Sequence, residues 1–321
     1  MPALVILGAS GFLGRALIER RPPSMLMKAV ARHVPDARPP EGVSWHKVDL
    51  TAPAALDDVL QAGDVVCNLA YMLDAGSHSN IALIDNVVDS CVRRQASRLV
   101  HCSTAVVAGA ITDSRVTEAT GSNPLTEYEK TKWLVEQRAV SATAKGLDVA
   151  ILRPTAIVGP GGQNLVGLAS SLLDGNPVAN YFRASLFGRR AMHLVPVRNV
   201  AAALLHLAGL PHPLGGNIYQ VSADDDPRND FRSIEALLCQ CLGVRPRAIP
   251  LLPLPPQLLS LLLRLLGRSD TDLHRRYDSG KLLATGFRPV DSVPDAVGQF
   301  AANFRQQRQA AQPAAVSSLR P

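Results

Sequence analysis

The chain has 321 residues, of which 47% are hydrophobic and 19% are charged. This length and composition predict a folded protein with a sizeable core and exclude a disordered chain. The net charge of +6 comes from scattered basic residues without a long basic run, so we expect no nucleic-acid partner.

Five cysteines occur without a CxxC pair, which predicts reduced thiols. The sequence opens with an apolar run at 3–7 and has no basic segment of the kind that begins a signal peptide. We therefore expect a cytoplasmic protein, and we expect no bound metal.

The first half of the chain alternates short apolar runs with helix-like stretches. The predicted strands are 3–7, 28–31, 44–48, 65–69, 99–103 and 149–152, and the predicted helices include 14–20, 81–94 and 125–143. Because strands that alternate with helices form βαβ units, this pattern predicts an α/β fold with a Rossmann-type, doubly wound parallel sheet. We assign residues 1–165 to this dinucleotide-binding domain.

Beyond Pro160 the alternation loosens and proline and glycine become frequent. We expect a smaller α/β substrate-binding region, mainly over 166–305, with a return to the first domain near 190–210. The segment 306–321 is rich in Ala, Gln, Ser and Pro and predicts a flexible tail. The leucine-rich segment 249–266 is interrupted by prolines and is too short to cross a bilayer. It predicts a helix packed in the second domain or at a dimer interface, with peripheral membrane contact as the alternative.

A glycine-rich turn follows the first predicted strand and reads Gly8-Ala9-Ser10-Gly11-Phe12-Leu13-Gly14. Gly8 permits a tight turn, Gly11 lets the backbone approach a pyrophosphate, and Gly14 lets the following helix pack closely on the strand. The helix then presents free N–H groups and a positive dipole end to the phosphates. The turn predicts binding of a dinucleotide.

Two further positions bear on the cofactor. Asp49, at the end of the third predicted strand, either accepts from the adenine amino group or caps a helix. The end of the second strand carries no acid to bind ribose hydroxyls and has Arg32 instead. Arg32 favours NADP over NAD if it pairs with a 2′-phosphate, although it could also only stack on the adenine.

Tyr128 and Lys132 are four residues apart and therefore share one face of a predicted helix. A nearby ammonium lowers the pKa of a phenol that transfers protons. Upstream, Thr104 follows a predicted strand at the carboxyl edge of the sheet, where ligands bind in open parallel sheets. Its hydroxyl is placed to hold a reacting oxygen beside Tyr128.

With these motifs in this order, the chain resembles the extended short-chain dehydrogenase/reductases, which include the NAD-dependent epimerase/dehydratases of nucleotide sugars. The resemblance runs from Gly8 to about Pro289. Besides the glycine turn it rests on Val48-Asp49-Leu50, Asn68-Leu69-Ala70, Cys102-Ser103-Thr104, Tyr128-x3-Lys132, Leu152-Arg153-Pro154, Gly159-Pro160-Gly161, Asp278-Ser279-Gly280-Lys281 and Gly286-Phe287-Arg288-Pro289.

The resemblance implies that Thr104 orients the carbonyl or alcohol, that Tyr128 is the acid/base, and that Lys132 binds the nicotinamide ribose and lowers the tyrosine pKa. It implies a homodimer formed through a four-helix bundle that includes the Tyr128 helix. His101 is expected in the core. The predicted cofactor-binding residues are Gly8, Ser10, Gly11, Phe12, Leu13, Gly14, Arg32, Asp49, Leu50, Leu69, Ala70, Tyr71, Lys132, Pro154 and Ile157.

Dehydratases of this family carry an Asp-Glu pair directly after the strand-end hydroxyl, whereas Ala105 and Val106 follow Thr104 here. The resemblance therefore implies either epimerisation at C4 or reduction of a 4-keto sugar, with hydride transfer at one carbon. The substrate would be a UDP- or dTDP-sugar for surface-polysaccharide synthesis.

The segment after Gly159 looks like that of bacterial UDP-N-acetylhexosamine 4-epimerases and 4-ketoreductases. Asn164, Arg189 and Arg190 are then the expected contacts to the nucleotide-sugar diphosphate. Two departures, Val197-Arg198-Asn199-Val200 in place of an acidic pair and irregular spacing around His193, put these contacts in question. The alternatives are an NADP-dependent reductase of a non-nucleotide ketone or aldehyde and a non-catalytic NADP-sensing protein.

Overall fold

The structure is a computed structural model that describes residues 2–245, 250–252, 257, 259, 265, 272 and 274–311. Its strands are β1 (Leu4–Leu7), β2 (Met27–Ala31), β3 (Val43–Lys47), β4 (Val65–Asn68), β5 (Arg98–Cys102), β6 (Arg115–Val116), β7 (Val149–Pro154), β8 (Ala156–Val158), β9 (Leu194–Pro196), β10 (Asn217–Val221) and β11 (Arg276–Tyr277). Its helices are α1 (Phe12–Glu19), α2 (Ser77–Arg93), α3 (Glu127–Ser141), α4 (Val166–Asp174), α5 (Pro177–Phe187), α6 (Val197–Gly209), α7 (Phe231–Leu242), α8 (Gly280–Ala284) and α9 (Val293–Ala311). Short 3-10 helices lie at Ala105–Ala108 and Ala142–Lys145.

Seven parallel strands form the central sheet in the order β10-β7-β5-β4-β1-β2-β3. The order reverses between β1 and β4, and a crevice opens at such a switch point beyond the carboxyl ends of the strands. The predicted Rossmann-type fold is confirmed. The crevice is where the glycine turn lies, because that turn directly follows β1.

Helices cover both faces of the sheet, which explains why its central strands are apolar without alternation. All four residues of β1 and all five of β5 are buried. Leu17 of α1 and Leu204 of α6 pack into the core on one face. Ile84 of α2 and Val135 of α3 pack into the core on the other. The sheet is therefore the rigid layer on which the site is built.

The second half of the chain forms a third apolar cluster around the short β8–β9 pair. Leu165, Leu238 of α7 and Phe300 of α9 are buried in this cluster. The return to the main sheet extends past 190–210, because α6 packs on the sheet and β10, at 217–221, pairs with β7.

The sequence predicts a flexible tail from residue 306, whereas the structure has a helix over the first six of these residues. Helix α9 continues to Ala311, since Phe300 and Phe304 anchor it to the third cluster and the following Gln, Arg and Ala residues favour a helix. Residues 312–321 lie outside the described part, as does most of the leucine-rich segment 249–266. Among the described residues, no helix is long and apolar enough to cross a membrane.

Candidate active site

The glycine turn adopts the geometry that its spacing predicts. Gly8 has φ +80°, and a Cβ there would lie 3.1 Å from the backbone nitrogen of Ala70. A Cβ at Gly14 would lie 2.5 Å from the carbonyl oxygen of Ala9, so only glycine allows α1 to approach β1 this closely. Gly11 begins α1 without a side-chain cap, which leaves the first N–H groups of the helix for an anion.

A cavity of about 270 Å³ lies beside this turn at the switch point. It is lined by nine of the predicted cofactor residues, namely Gly8, Ser10, Gly11, Arg32, Asp49, Leu50, Leu69, Ala70 and Tyr71. The tight glycine turn at one end and the strand-end loops along its length fit a dinucleotide with its pyrophosphate at α1. Residues that sequence reasoning missed also line it, namely Val30, Ala31, His33, Val48, Thr51, Met72 and Leu83. Most of these follow or end a strand, and that position is the signal that could have found them.

The other predicted cofactor residues lie outside the lining of this cavity. Phe12 packs towards Gly162, where an added Cβ would lie 3.1 Å from the Phe12 ring. Pro154 is the last residue of β7, and Ile157 lies in β8 against the core. Leu13 also packs against the core.

Asp49 and Arg32 both line this cavity. One oxygen of Asp49 accepts from the backbone N–H and the hydroxyl of Thr51, at 3.0 and 2.8 Å. These hydrogen bonds lower the pKa of Asp49, and the charge of Arg32 adds to the effect. Arg32 and His33 directly follow β2, are exposed and line the cavity. Neither of these two positions carries an acid.

Tyr71, which lines the same cavity, contacts both Tyr128 and Lys132. The rings of Tyr71 and Tyr128 meet edge to face, with centroids 5.6 Å apart. The Lys132 ammonium lies 4.6 Å from the Tyr71 ring centroid and donates to the carbonyl of Cys102 at 3.4 Å. Lys132 is 6% exposed, and burial lowers its pKa.

The expected lowering of the Tyr128 pKa by Lys132 is wrong in this structure. Loss of water around the phenol, with Tyr71 and Cys102 as neighbours, raises the pKa of Tyr128 to about 12. The Lys132 ammonium instead lies over the Tyr71 ring and donates to the Cys102 carbonyl. Tyr128 therefore carries its proton at neutral pH while remaining 43% exposed.

Thr104 caps the 3-10 helix Ala105–Ala108 at the end of β5, and its hydroxyl accepts from the N–H of Val106 at 3.4 Å. Behind it, His101 is 1% exposed, as expected of a core residue. Burial, with Lys132 nearby, lowers the pKa of His101 to about 3. The His101 ring is therefore neutral.

Helix α3 is held at its N-terminus and near its middle. Thr126 and Glu129 form a capping box at its N-terminus, and Tyr128 lies between them in the sequence. Further along, the Glu136 carboxylate pairs with the guanidinium of Arg153 in β7, with Nε and Oε2 2.9 Å apart. The pair is buried, so it fixes the helix and Lys132 against the sheet.

A second cavity, of about 220 Å³, begins at the residues after Thr104. Its described lining comprises Ala105, Val106, Gly109, Thr155, Ala156, Arg190, Ala191, Met192, His193, Arg275 and Tyr277. Tyr71, which contacts Tyr128 and Lys132, lines the first cavity, and Ala105, the residue after Thr104, lines the second.

Of the three residues predicted to bind the substrate diphosphate, only Arg190 lines the second cavity. Asn164 is exposed and donates to the Ile157 carbonyl at 2.8 Å, and Arg189 is exposed outside both cavities. Within the described part of the chain, no group of three His, Cys, Asp or Glu side chains could hold a metal ion.

A family model described as "NAD dependent epimerase/dehydratase family" matches residues 4–221. The chain belongs to this family. The matched range includes the glycine turn, Thr104, Tyr128 and Lys132. By its description this family uses NAD, and the protein named short-chain dehydrogenase/reductase family 42E member 1 of Homo sapiens is 30% identical over 147 residues, or 39% of this chain and 37% of the relative.

Other curated relatives have diverse names. A 2-alkyl-3-oxoalkanoate reductase of Stenotrophomonas maltophilia is 30% identical over 180 residues, which cover 51% of this chain and 53% of the relative. Sterol demethylase protein B of Methylococcus capsulatus is 27% identical over 236 residues, or 68% and 69% of the two chains. The chain thus spans about half the length of the first of these relatives.

Solved structures of the same fold align over nearly the whole chain. UDP-glucuronic acid 4-epimerase from Bacillus cereus, in complex with NAD, gives a TM-score of 0.74 at 16% identity, with 98% of this chain and 100% of that chain covered. RMD from Pseudomonas aeruginosa, complexed with NADPH, gives 0.68 at 17% identity, with 95% and 100% covered. These likenesses show the fold.

Proposed function

We propose that this epimerase/dehydratase family member is an NADP-dependent reductase of a ketone on a non-nucleotide substrate. The observation that carries the proposal is the second cavity, which adjoins Thr104 and has small or apolar side chains at Ala105, Val106, Ala156 and Met192. Its volume of about 220 Å³ suits a small organic group.

The proposed reaction uses three side chains. Thr104 orients the carbonyl oxygen, and Tyr128 donates its proton to that oxygen as it becomes an alcohol. A phenol with a pKa of about 12 is present in the donor form that this direction requires. Lys132, which is buried beside the Tyr71 ring, binds the nicotinamide ribose. When bound, the reduced nicotinamide supplies the hydride.

The sequence relatives support the substrate class. The two at 30% and 27% identity are named a 2-alkyl-3-oxoalkanoate reductase and a sterol demethylase protein, and neither name refers to a nucleotide. Two of the three expected diphosphate contacts, Asn164 and Arg189, lie outside the cavity, which also favours a substrate without a diphosphate.

The cofactor and the assembly are part of the same proposal. Arg32 and His33 at the end of β2 favour the 2′-phosphate of NADP over the free hydroxyl of NAD. We propose that the protein forms a homodimer through the exposed face of α3, where Leu134 is 39% exposed. The five cysteines are all free thiols, which supports a cytoplasmic enzyme.

A second candidate function is epimerisation or 4-keto reduction of a UDP- or dTDP-sugar at C4. Arg190 in the cavity wall favours it, because a guanidinium pairs well with a diphosphate. The fold neighbours named as UDP-sugar 4-epimerases are consistent with it.

One experiment separates the candidates. The purified protein is incubated with NADPH or without added cofactor, and with a 2-alkyl-3-oxo acid, a 3-ketosteroid, UDP-GlcNAc, UDP-GalNAc or a 4-keto-6-deoxy nucleotide sugar. We expect stoichiometric loss of NADPH with a non-nucleotide ketone. Interconversion of UDP-GlcNAc and UDP-GalNAc, or NADPH loss with the nucleotide sugar alone, would establish the second candidate. NADPH binding without turnover of any compound would indicate the NADP-sensing alternative.

A further inference from the structure

Helix α5 turns one apolar side outward. Val178 and Phe182 are four residues apart and so lie on the same side of the helix, where they are 61% and 60% exposed. On the opposite side Asn180 and Ala184 are buried, and Asn180 donates to the Ser171 carbonyl of α4 at 2.6 Å. The part of the chain that the structure describes therefore covers one side of α5 and leaves two large apolar side chains on the other.

A second segment extends this apolar side. The Tyr181 hydroxyl donates to the Pro250 carbonyl at 3.0 Å and accepts from the N–H of Leu252 at 3.2 Å, which holds the segment against α5. Leu252 is 68% exposed, and the Tyr181 and Phe182 rings meet edge to face. We call Val178, Phe182 and Leu252 the α5 surface. Exposed apolar side chains clustered in this way are typical of a site that contacts a second apolar phase.

The end of α9 brings basic residues to the start of α5. Arg308 pairs with Asp174, which lies two residues before Asn176, the N-cap of α5, and the closest Nη2–Oδ1 distance is 3.1 Å. Three residues earlier on the same helix, Arg305 donates to the carbonyl of Cys241 at 3.3 Å. Because positions three residues apart share one side of a helix, the end of α7 and the start of α5 are neighbours.

This end of the molecule carries positive charge. The Arg308–Asp174 pair is neutral as a whole, whereas Arg305 and Arg245, three residues past the end of α7, are both exposed. The sequence from 236 to 269 contains four arginines and no aspartate or glutamate. Apolar side chains with cations beside them are the combination that binds the surface of an anionic lipid bilayer, since the apolar groups enter the acyl boundary and the cations meet the phosphates.

We propose that the α5 surface attaches the protein peripherally to an anionic lipid bilayer. Its three apolar side chains lie at the boundary of the acyl chains, and Arg245 and Arg305 contact the lipid phosphates. The lining of the second cavity includes 190–192, which begin three residues after α5 ends, so attachment holds that cavity close to the bilayer. The attachment goes beyond the proposed function and does not depend on it, because lipid binding needs neither a ketone nor turnover.

The test is co-sedimentation of the purified full-length protein with vesicles of phosphatidylcholine, alone or mixed with phosphatidylglycerol in equal parts. We expect binding to the anionic vesicles and much weaker binding to phosphatidylcholine alone. The double variant Val178→Ser/Phe182→Ser loses apolar area without a change in charge, and its affinity for the anionic vesicles falls about tenfold. In Arg245→Gln the affinity falls about fivefold, the effect of one cation near an anionic surface.

Each variant has a matched control. Leu26→Ser/Val290→Ser also removes two exposed apolar side chains, which lie before β2 and before α9 and are 48% and 45% exposed. Arg38→Gln removes an exposed arginine between β2 and β3. Both controls bind the anionic vesicles as tightly as the wild type. Circular dichroism and NADPH binding show whether each variant is folded, and Phe182→Ser replaces the double variant if that one does not fold.

The proposal is overturned if the wild type does not sediment with the anionic vesicles or binds both lipid compositions equally. It is also overturned if folded Val178→Ser/Phe182→Ser binds as tightly as the wild type. Self-association that this variant abolishes, without vesicle binding, would make a second copy of the chain the occupant of the α5 surface. Failure of the proposed function has a different signature, no NADPH loss with any ketone, and leaves vesicle binding unchanged.

Discussion

Tyr128 packs against Tyr71, which lines the first cavity, and its phenol is protonated. Its pKa of about 12 means that the proton is retained at any pH at which the protein is assayed. Its ring meets that of Tyr71 edge to face, an arrangement that aromatic pairs favour. Such a group is placed to donate a proton.

Replacing Tyr128 with phenylalanine removes this proton and leaves the ring in place. We expect kcat to fall about 10²–10⁴-fold, the usual contribution of a positioned acid. NADPH affinity, read from the fluorescence of bound NADPH, stays within twofold. Tyr181→Phe, on α5 away from the site, is the control and keeps full activity. A Tyr128→Phe enzyme with near wild-type kcat would exclude the proposed role.

Arg32 is the residue on which cofactor preference depends. Removing a charge-assisted hydrogen bond costs about 1.5–3 kcal/mol, so Arg32→Ala should raise the KM for NADPH about 10–100-fold. The KM for NADH changes little, because that cofactor has no 2′-phosphate. Arg38→Ala, an exposed arginine that does not line the cavity, leaves both constants unchanged. Equal effects on NADPH and NADH would show that Arg32 only stacks on the adenine.

His101 makes the stability of the protein depend on pH. The folded state keeps the ring neutral down to a pKa of about 3, whereas the unfolded chain takes up a proton below about 6.5. Below pH 6.5 the unfolded state therefore binds more protons, and the free energy of unfolding falls as the pH falls.

The effect can be measured by urea unfolding of wild type and His101→Asn at pH 7.5 and pH 5. From the two pKa values we expect the wild type to lose about 2 kcal/mol more than the variant over this interval. Asparagine keeps an acceptor for Asn68, which contacts His101 Nδ1 at 3.2 Å. Equal losses in the two proteins would contradict a neutral buried ring.

At the scale of elements, the position of α3 relative to β7 determines where Tyr128 and Lys132 lie. The Glu136–Arg153 pair joins the two elements, and its side chains are 0% and 6% exposed. Burying two charges brings little net stability, but removing one of them leaves the other without compensation. The pair therefore serves mainly as a fixed joint, a contact that holds α3 in one position against the sheet.

Arg153→Met leaves Glu136 buried and unpaired, and we expect a loss of about 3–5 kcal/mol in the free energy of unfolding. Urea titration followed by circular dichroism measures this loss. Arg93→Met breaks the exposed pair with Asp57 and should cost less than about 1 kcal/mol. The double variant Glu136→Leu/Arg153→Met should recover part of the stability, whereas a loss below 1 kcal/mol in Arg153→Met would contradict the fixed joint.

At the scale of the whole molecule, the two halves differ in how far the sequence predicts them. The six strands predicted in the first half agree with β1–β5 and β7 to within one or two residues, because buried parallel strands are continuous apolar runs. In the second half, β8 and β9 have three residues each and pair across 35 intervening residues. Strands this short carry no periodic pattern, and the sequence predicted neither of them.

The sequence by itself determined the family, the Rossmann-type fold and the glycine turn after β1, because glycine spacing, apolar runs and the Tyr128–Lys132 interval are local patterns. Only the tertiary structure decided which groups the Lys132 ammonium contacts and which side chains line the second cavity. That cavity joins segments as far apart as Ala105 and Tyr277. The His193–Asp224 contact links residues 31 positions apart, and no local pattern can encode such a pairing.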